Sequence, residues 1–543
     1  MRIAERPLEV LQWLGLAVLM AAMPLANFLM SIGILILCGV WILLLISDKQ
    51  GSKDPWTRWN AFRHTPAAVR FSLIYVIFLI TLLWTDDWTY GLKDLKTKLP
   101  ILILPLILTG LNPISERQER GLLKVFIGSL IVTVTICLMV RFEVYNQWAV
   151  PMGFRVREVN NFRDVSIFIS HIRFSLLLVM GIVILLFRFP RKGISLAVII
   201  AITAYFLYFL WAIESITAFA IMIVLALSFA SWKLYSSVGW RVRLLSACVA
   251  LAVLIGSVWF VIGAYYEYFD EVTDDLSALD VRTPYGEPYA HYTNQLQVEN
   301  GHYTMIYIAW GELASEWQKR SSIAFEGQDS LGNPVKGTLI RYLTSKGLRK
   351  DIDGVRSLTE ADISWIEQGI TNAEWMQRTG IRKRLDRIFF EYDNYRNGGD
   401  PNGHSVFQRL EFWNTGWAIV SKNRWLGVGV GDVKAAFRAE YEQRGSPLVI
   451  GNRLRAHSQW LTFWITSGLI GFLAFLVLWS SLFRRSLSAR SVIFVAYFLI
   501  VSLSFLTEDT LESQAGVTFF AFFGSFILFL PKKQGAIEPP SRA

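Results

Sequence analysis

A histidine and an arginine lie where a polar stretch of this sequence meets a long apolar run. Arg455 and His457 are separated by one residue, and the apolar run that follows reaches about Trp479. Histidine changes charge near neutral pH and can accept a proton, whereas the planar guanidinium of arginine can hold a phosphate through two hydrogen bonds. At a membrane boundary, this pair of side chains suggests transfer chemistry on a lipid-linked, phosphorylated substrate.

Each candidate residue also has a structural interpretation. His457 could be an interfacial or capping residue at a helix start, and Arg455 could anchor the chain to lipid headgroups. Arg173 stands in another apolar run, where a charge costs at least ~2.5 kcal/mol and usually has a partner or lines a cavity. Its alternative is to snorkel towards the outer surface. His171 does not share a helical face with Arg173, so we favour Arg173 of these two.

Two further groups of charged residues remain open to both kinds of interpretation. Arg409 shares a helical face with Trp413, which is typical of an amphipathic surface helix or of an arginine that binds a donor. Glu508, Asp509 and Glu512 form an acidic outer turn that could orient cationic side chains. Their spacing does not match a metal site, and a solvated turn is the favoured interpretation.

The glycines of residues 427–431 predict a tight turn. Their spacing differs from a dinucleotide fingerprint, so a phosphate-binding loop is disfavoured. The pattern instead predicts that Asp432 caps a helix over residues 433–443 and that Gly445 ends it.

The composition indicates a membrane protein. Of the 543 residues, 53% are hydrophobic, the mean hydropathy is +0.39, and the apolar residues form runs of membrane-spanning length. Residues 266–456 hold 23 Lys and Arg against 26 Asp and Glu, whereas the remainder holds 30 against 17. The basic excess therefore lies beside the apolar runs, and nucleic-acid binding is not expected. Cys38, Cys137 and Cys248 lie in separate apolar runs and indicate neither a disulfide nor a zinc site.

The order of apolar and polar segments predicts an all-α polytopic membrane protein with about twelve transmembrane helices. Four segments follow from it: residues 1–265 with nine helices, residues 266–456 as a large, mainly helical periplasmic domain, residues 457–531 with three helices, and residues 532–543 as a cytoplasmic tail. Basic loops on one side, and outer turns without lysine or arginine at 212–216 and 508–513, place both termini in the cytoplasm.

Local signals refine this picture. Residues 8–47 predict a helical hairpin that turns near Pro24, although a cleaved signal peptide over residues 8–26 is the alternative. Within the polar segment, residues 334–345 predict a helix that stops at Gly347, and residues 359–362 resemble a capping box.

Taken together, four features resemble the O-antigen ligase and polymerase superfamily over about residues 409–479. They are Arg409-x-x-x-Trp413, the glycine turn at 427–431, His457-Ser458 at the start of a span, and Gly468-x-x-Gly471. Ser458 stands where this family usually has an asparagine. The long insertion, with Asn300-Gly-His-Tyr303 and residues 338–347, looks like that of O-antigen ligase-like proteins of Bacteroidetes.

This resemblance implies glycosyl transfer at the outer face of a bacterial inner membrane. The donor would be a glycan on undecaprenyl pyrophosphate. The acceptor would be a hydroxyl of lipid A-core oligosaccharide in a ligase, or another lipid-linked glycan in a polymerase. His457 would be the general base, Arg173 and Arg409 would hold the pyrophosphate, and Arg455 and His171 are further candidate substrate-binding residues.

The expected chemistry needs no cofactor. Pyrophosphate is already a good leaving group, so fixed guanidinium groups can stabilise its growing charge without a metal. No carboxylate pair has a spacing that requires a covalent intermediate, so one-step inversion is expected. A lipid or solute transporter is the alternative class, but the sequence has no internal repeat and its polar candidates gather at the outer face.

Overall fold

The computed structural model describes residues 2–50, 56–149, 151–152, 165–190, 193–236, 239–269, 272, 274–294, 297–374, 380–396, 401–403, 405–488 and 491–531. The protein is mostly helical. Its first twelve α-helices are α1 (Arg2–Ala22), α2 (Asn27–Gln50), α3 (Thr57–Arg63), α4 (Pro66–Ile80), α5 (Trp88–Lys98), α6 (Pro100–Gly110), α7 (Glu116–Arg141), α8 (Val144–Ala149), α9 (His171–Arg188), α10 (Ile194–Ala212), α11 (Ile216–Ser236) and α12 (Trp240–Tyr268).

The remaining elements of the described part of the chain follow a short antiparallel ladder of β1 (Val298–Glu299) and β2 (His302–Tyr303). They are α13 (Trp310–Arg320), α14 (Val335–Ser345), α15 (Ile352–Arg356), α16 (Glu360–Glu367), α17 (Gly380–Arg396), α18 (Ser405–Lys422), α19 (Val433–Gln443), α20 (Gln459–Ser488), α21 (Val492–Thr507) and α22 (Gln514–Leu528). Short 3-10 turns cover Thr81–Trp84, Ile450–Asn452 and Thr510–Glu512.

Helix lengths show how the chain meets the bilayer. Among the described residues, eight helices are long and apolar enough to cross a membrane, and Pro7–Ala22, Val492–Thr507 and Gln514–Leu528 are shorter apolar helices. Helix α6 has only 11 residues, which at ~1.5 Å per residue gives about 17 Å, roughly half the hydrocarbon thickness. The protein is a multi-pass integral membrane protein, whereas the predicted total of twelve crossings is not confirmed.

By compactness the chain forms two units. The first comprises Met1–Leu225 and Arg409–Ala543, and the second comprises Ala226–Gln408. These boundaries differ from those of the predicted periplasmic segment at 266–456, because residues after 409 pack with the first unit. The proposed topology of that segment therefore remains a prediction.

The first unit is held together by packed aromatic rings. Helices α1 and α2 form the predicted hairpin. Further along, Phe463 stacks on Phe475 with ring centroids 3.9 Å apart, and Trp479 stacks on Phe498 at 4.3 Å. Such pairs add attraction beyond the apolar area that they bury. The first pair lies within α20, whereas the second joins α20 to α21, the helix that leads into the acidic turn.

The second unit has its own core and confirms two local predictions. Trp317 of α13 and Tyr342 of α14 are among its buried residues and belong to one apolar cluster. Helix α14 ends at Ser345, just before Gly347, whose φ of +64° suits glycine. Thr359 and its partner three residues later form a complete capping box at the start of α16.

Candidate functional site

The glycine turn is joined to a break in helix α20. At Gly468 the backbone leaves the helical conformation, with φ +62° and ψ −172°. Val428 N–H donates to the Ile465 carbonyl at 2.8 Å, and Gly429 N–H donates to the Thr466 carbonyl at 3.0 Å. A break in an apolar helix frees polar backbone groups that lipid cannot satisfy, so protein must supply their partners. The glycine turn supplies them.

Close backbone approach explains why this turn needs glycine. Gly427 and Gly429 have φ of +73° and +91°, and a Cβ at Gly429 would clash with Thr85. The structural interpretation of these glycines is confirmed. Helix α19 also has its predicted bounds, but Asp432 does not cap it: the carboxylate accepts hydrogen bonds from the Asp86 and Asp87 amides instead, at 2.8 and 2.9 Å.

His457 lies in a bend two residues before α20 and has a strained backbone. Its φ is +45°, a left-handed conformation that L-residues other than glycine adopt infrequently. Its N–H donates to Asp509 Oδ2 at 3.1 Å, and the other carboxylate oxygen accepts from the Thr462 hydroxyl at 2.7 Å. Asp509 thus ties the strained bend to the first turn of α20. Strain held in place by surrounding contacts is often found at functional sites.

The imidazole of His457 has an apolar neighbour on one side. Its ring centroid lies 5.5 Å from that of Phe412. Its Nδ1 atom is buried and has no hydrogen-bond partner among the described residues. No described carboxylate or carbonyl therefore sets the tautomer through that nitrogen.

Arg455 is held by a buried carboxylate. Arg455 Nη1 lies 2.9 Å from Glu512 Oε2, and Lys98 Nζ lies 2.9 Å from the same oxygen. Burial by itself would raise the pKa of Glu512, but the charges of Lys98 and Arg455 lower it to about 2. Glu512 is therefore ionised at neutral pH, and it fixes the position of the Arg455 guanidinium.

Asp94 completes this charged cluster from helix α5. Its carboxylate pairs with Lys98, whose side chain is fully buried. Burial, followed by the nearby charge of Glu512, raises the pKa of Asp94 to about 6. Two carboxylates close together cannot both ionise freely, so the more weakly compensated one retains its proton to higher pH.

The acidic turn is not the solvated segment that the sequence favoured. Glu508 and Asp509 are 5% and 7% exposed, and the Glu512 side chain is 5% exposed. Glu508 Oε1 lies 3.3 Å from Arg409 Nη2. Glu508 and Glu512 thus orient cationic side chains, which was the alternative prediction for this turn. Asp509 instead holds the backbone of His457.

Three of the predicted site residues line one cavity of about 640 Å³. Arg173, Arg455 and His457 come from α9 and from the segment before α20. Its other charged lining residues are Lys434, Arg438, Glu442, Arg453, Asp509 and Glu512. Cationic side chains outnumber acidic ones in this lining by five to three, so the cavity suits an anionic ligand.

Arg173 reaches this cavity from a helix end. Helix α9 begins at His171, so Arg173 lies in the first turn of this apolar helix and not in its middle. Its Nε atom is buried and makes no hydrogen bond within the described part of the chain. The same side chain lines the cavity.

Two predicted residues are not among those that line the cavity. His171 has its carbonyl bonded to the Ser175 hydroxyl at 2.8 Å, one turn into α9. Arg409 contacts Glu508, whose neighbour Asp509 does line the cavity. Arg409 is therefore connected to this cavity only through the acidic turn.

Sequence reasoning missed the cations of α19 and the partners in α5. Lys434 and Arg438 are four residues apart on a helix whose bounds were predicted, so their shared face was a signal that could have identified them. Asp94 and Lys98 have the same spacing. Their contact with Glu512 joins residues more than 400 positions apart, and no local pattern shows it.

The helical architecture defines a multi-pass membrane protein, and the excess of cationic residues in the cavity lining suits an anionic ligand. Residues 373–476 match the family model described as O-antigen ligase. The matched residues include Arg409, the glycine turn, Arg455 and His457. A comparison with curated proteins found no match. The family match confirms the predicted resemblance and supports a membrane glycosyltransferase of the O-antigen ligase and polymerase type.

Proposed function

We propose that this protein transfers a glycan from undecaprenyl pyrophosphate to a hydroxyl of lipid A-core oligosaccharide, at the outer face of the inner membrane. The observation that carries the proposal is the cavity lined by Arg173, Arg455 and His457. Residues from distant parts of the sequence meet there, in a lining rich in cations. The matched family is described as O-antigen ligase, which favours ligation as the first candidate.

The proposed reaction is a single displacement. The acceptor oxygen attacks the anomeric carbon, the bond from that carbon to the pyrophosphate oxygen breaks, and undecaprenyl pyrophosphate leaves with the bonding electrons. His457 accepts the proton of the attacking hydroxyl. The configuration at the anomeric carbon inverts, because the nucleophile enters opposite the leaving group.

The cationic side chains have different proposed tasks. Arg173 has a buried Nε donor without a described partner, so it binds the pyrophosphate directly. Arg455 is anchored by Glu512 while it lines the cavity, which keeps its remaining donors in a fixed direction. Donors that are fixed before reaction stabilise developing charge without reorganisation. Arg409, paired with Glu508, is proposed as a positioning residue rather than a pyrophosphate ligand.

We further propose that transfer requires no divalent metal, because the protein's own cations meet the charge of the leaving group. Purified protein should retain its transfer rate in excess chelator. A rate that falls with chelator and returns with magnesium or manganese would contradict this part of the proposal.

The decisive experiment uses purified protein, a lipid-linked glycan and two acceptors. Transfer to lipid A-core oligosaccharide supports a ligase, and elongation of a second lipid-linked glycan supports a polymerase. If the protein is a ligase, a deletion strain should make lipopolysaccharide without the glycan and should accumulate the lipid-linked glycan. Movement of the intact lipid-linked glycan between leaflets without any transfer would favour the transporter class instead.

A further inference from the structure

A second cavity lies at the opposite end of helix α9 from Arg173. Its volume is about 860 Å³, within the roughly 300–1,000 Å³ typical of ligand pockets. It is bounded by α7, α9 and α10. Leu185 lines it, twelve residues after Arg173, so the two cavities are separated by about 18 Å along the helix axis. It is therefore distinct from the proposed transfer site.

The rim of this second cavity is cationic. Arg117, Arg120 and Lys124 of α7 line it, and their spacing places them on neighbouring turns of one helix face. Arg120 pairs with Glu116 at 2.7 Å. Arg117 and Lys124 are exposed, and neither side chain forms an ion pair or hydrogen bond with another described residue. Two cations are thus available to an anionic group.

The remainder of the lining is almost entirely apolar. Isoleucines, Leu185 and Phe189 form the walls, while Gly121 and Gly128 leave α7 without side chains along the groove. A Cβ built at Gly128 would meet nothing within 4 Å. Helix α10 is also largely exposed, with only 22% of its apolar stretch buried in the protein. The groove therefore opens towards the hydrocarbon of the bilayer.

We propose that this second cavity binds an anionic phospholipid. The phosphate lies against Arg117 and Lys124, and one acyl chain follows the groove past Gly128. Basic pockets between membrane helices recognise anionic headgroups, and each basic side chain contributes attraction that a net-neutral headgroup lacks. An amphiphile alone satisfies both parts of the lining, since an inorganic anion would leave the apolar walls empty.

The test measures lipid binding to the full-length protein in detergent by native mass spectrometry. Phosphatidylglycerol and phosphatidylcholine with identical acyl chains serve as probes. Arg117→Gln combined with Lys124→Gln removes the two cations that have no described ion-pair partner, and Arg70→Gln is the control at an exposed cation outside the cavity. Gly128→Leu fills the groove without changing charge, and Gly39→Leu is its control at another helical glycine with open space around it.

Wild-type protein should retain phosphatidylglycerol in preference to phosphatidylcholine. The double charge variant should bind phosphatidylglycerol roughly 30-fold more weakly, from the usual contribution of two basic side chains. Gly128→Leu should also weaken binding, while both controls bind as wild type and all variants unfold at similar temperatures. Equal affinity for the two lipids, or unchanged binding in either test variant, would overturn the proposal. A loss of binding without a loss of transfer separates this proposal from the proposed function.

Discussion

At the scale of single residues, His457 depends on neighbours that are distant in sequence. Asp509 accepts its backbone N–H and also the Thr462 hydroxyl, so one buried carboxylate holds both sides of the bend. This arrangement supports a backbone conformation that a histidine adopts infrequently. The acidic turn therefore helps to set the direction in which the imidazole points.

His457 and Arg173 should give distinguishable phenotypes. His457→Ala removes the proposed proton acceptor, so transfer should fall by ~100- to 10,000-fold while donor binding persists. Arg173→Ala removes a charge-assisted contact, so it should weaken donor binding and slow departure of the pyrophosphate. Transfer and donor binding are measured for each purified variant, with His64→Ala and Arg141→Ala as matched controls at exposed positions. Near-normal transfer by folded His457→Ala protein would exclude this histidine as the general base.

Asp509 should act as a positioning residue. Asp509→Asn has one carbonyl oxygen in place of two carboxylate oxygens, so it cannot accept both existing hydrogen bonds. A displaced imidazole should lower kcat by about 100-fold with little change in the KM for the donor. Thr462→Val, which removes only the hydroxyl partner of Asp509, should have a smaller effect in the same direction. A change confined to KM, with kcat preserved, would assign Asp509 to donor binding instead.

At the scale of elements, the glycine turn and the broken helix α20 form one structural unit. Gly429 and Gly468 both have positive φ, and each lies where a Cβ would meet another segment. Each position therefore requires glycine for two reasons, the left-handed backbone and the close contact. The turn donates hydrogen bonds to backbone carbonyls that the break leaves without helical partners, and these bonds hold the turn against α20.

Gly429→Ala and Gly468→Ala should both destabilise the protein. The left-handed conformation alone costs an L-residue about 1–2 kcal/mol, and the steric clashes add to it. Thermal unfolding in detergent should show a lower Tm for each, together with reduced transfer. Gly39→Ala provides the control, because a Cβ there meets nothing within 4 Å and its φ is not positive. A wild-type Tm for Gly468→Ala would show that the break does not depend on glycine.

The charged cluster between α5 and the acidic turn should make stability depend on pH. The pKa of Asp94 is raised to about 6 from its ordinary 3.8, so its stabilising contribution is present below pH 3.8 and is lost as pH rises through 6. The asparagine of Asp94→Asn cannot ionise. The Tm of this variant minus the Tm of wild type should therefore be greater at pH 7.5 than at pH 5.

Glu512→Gln is the matched comparison for this effect. The pKa of the wild-type Glu512 carboxyl is lowered to about 2 from its ordinary 4.5. Its stabilising contribution is therefore present above pH 4.5 and is lost only as pH falls towards 2. Glu512→Gln should therefore lower Tm at both pH 5 and pH 7.5, but by less at pH 7.5, because loss of the Glu512 charge also lowers the pKa of Asp94. Parallel pH profiles for wild type and Asp94→Asn would contradict the raised pKa of Asp94.

At the scale of the whole molecule, the proposed chemistry requires the polar segment to lie outside the cytoplasm. In a cysteine-free background, Ser330→Cys should react with a membrane-impermeant maleimide in cells whose inner membrane is intact. Glu116→Cys, at an exposed position in a predicted inner loop, should react only after that membrane is permeabilised. The opposite labelling pattern would overturn both the topology and the reaction assigned to this face.

Several features follow from the sequence by itself, because they depend on local chemistry. Long apolar runs predict membrane helices, and the turn after Ala22 separates α1 from α2 as expected. The bounds of α19 and the capping box at Thr359 also follow from neighbouring residues. The histidine and two arginines of the cavity were recognised from their positions at membrane boundaries and from the resemblance that the family match confirms.

Only the tertiary structure decided which charges meet. The acidic turn is polar by composition, yet its burial depends on Lys98, Arg409 and Arg455, which are contributed by three other segments. Asp432 has the sequence features of a helix cap, but tertiary contact with the Asp86 and Asp87 amides provides a competing partner. Helical periodicity determines which face of one helix a residue occupies, whereas the partner of a buried charge is determined by how helices distant in sequence pack together.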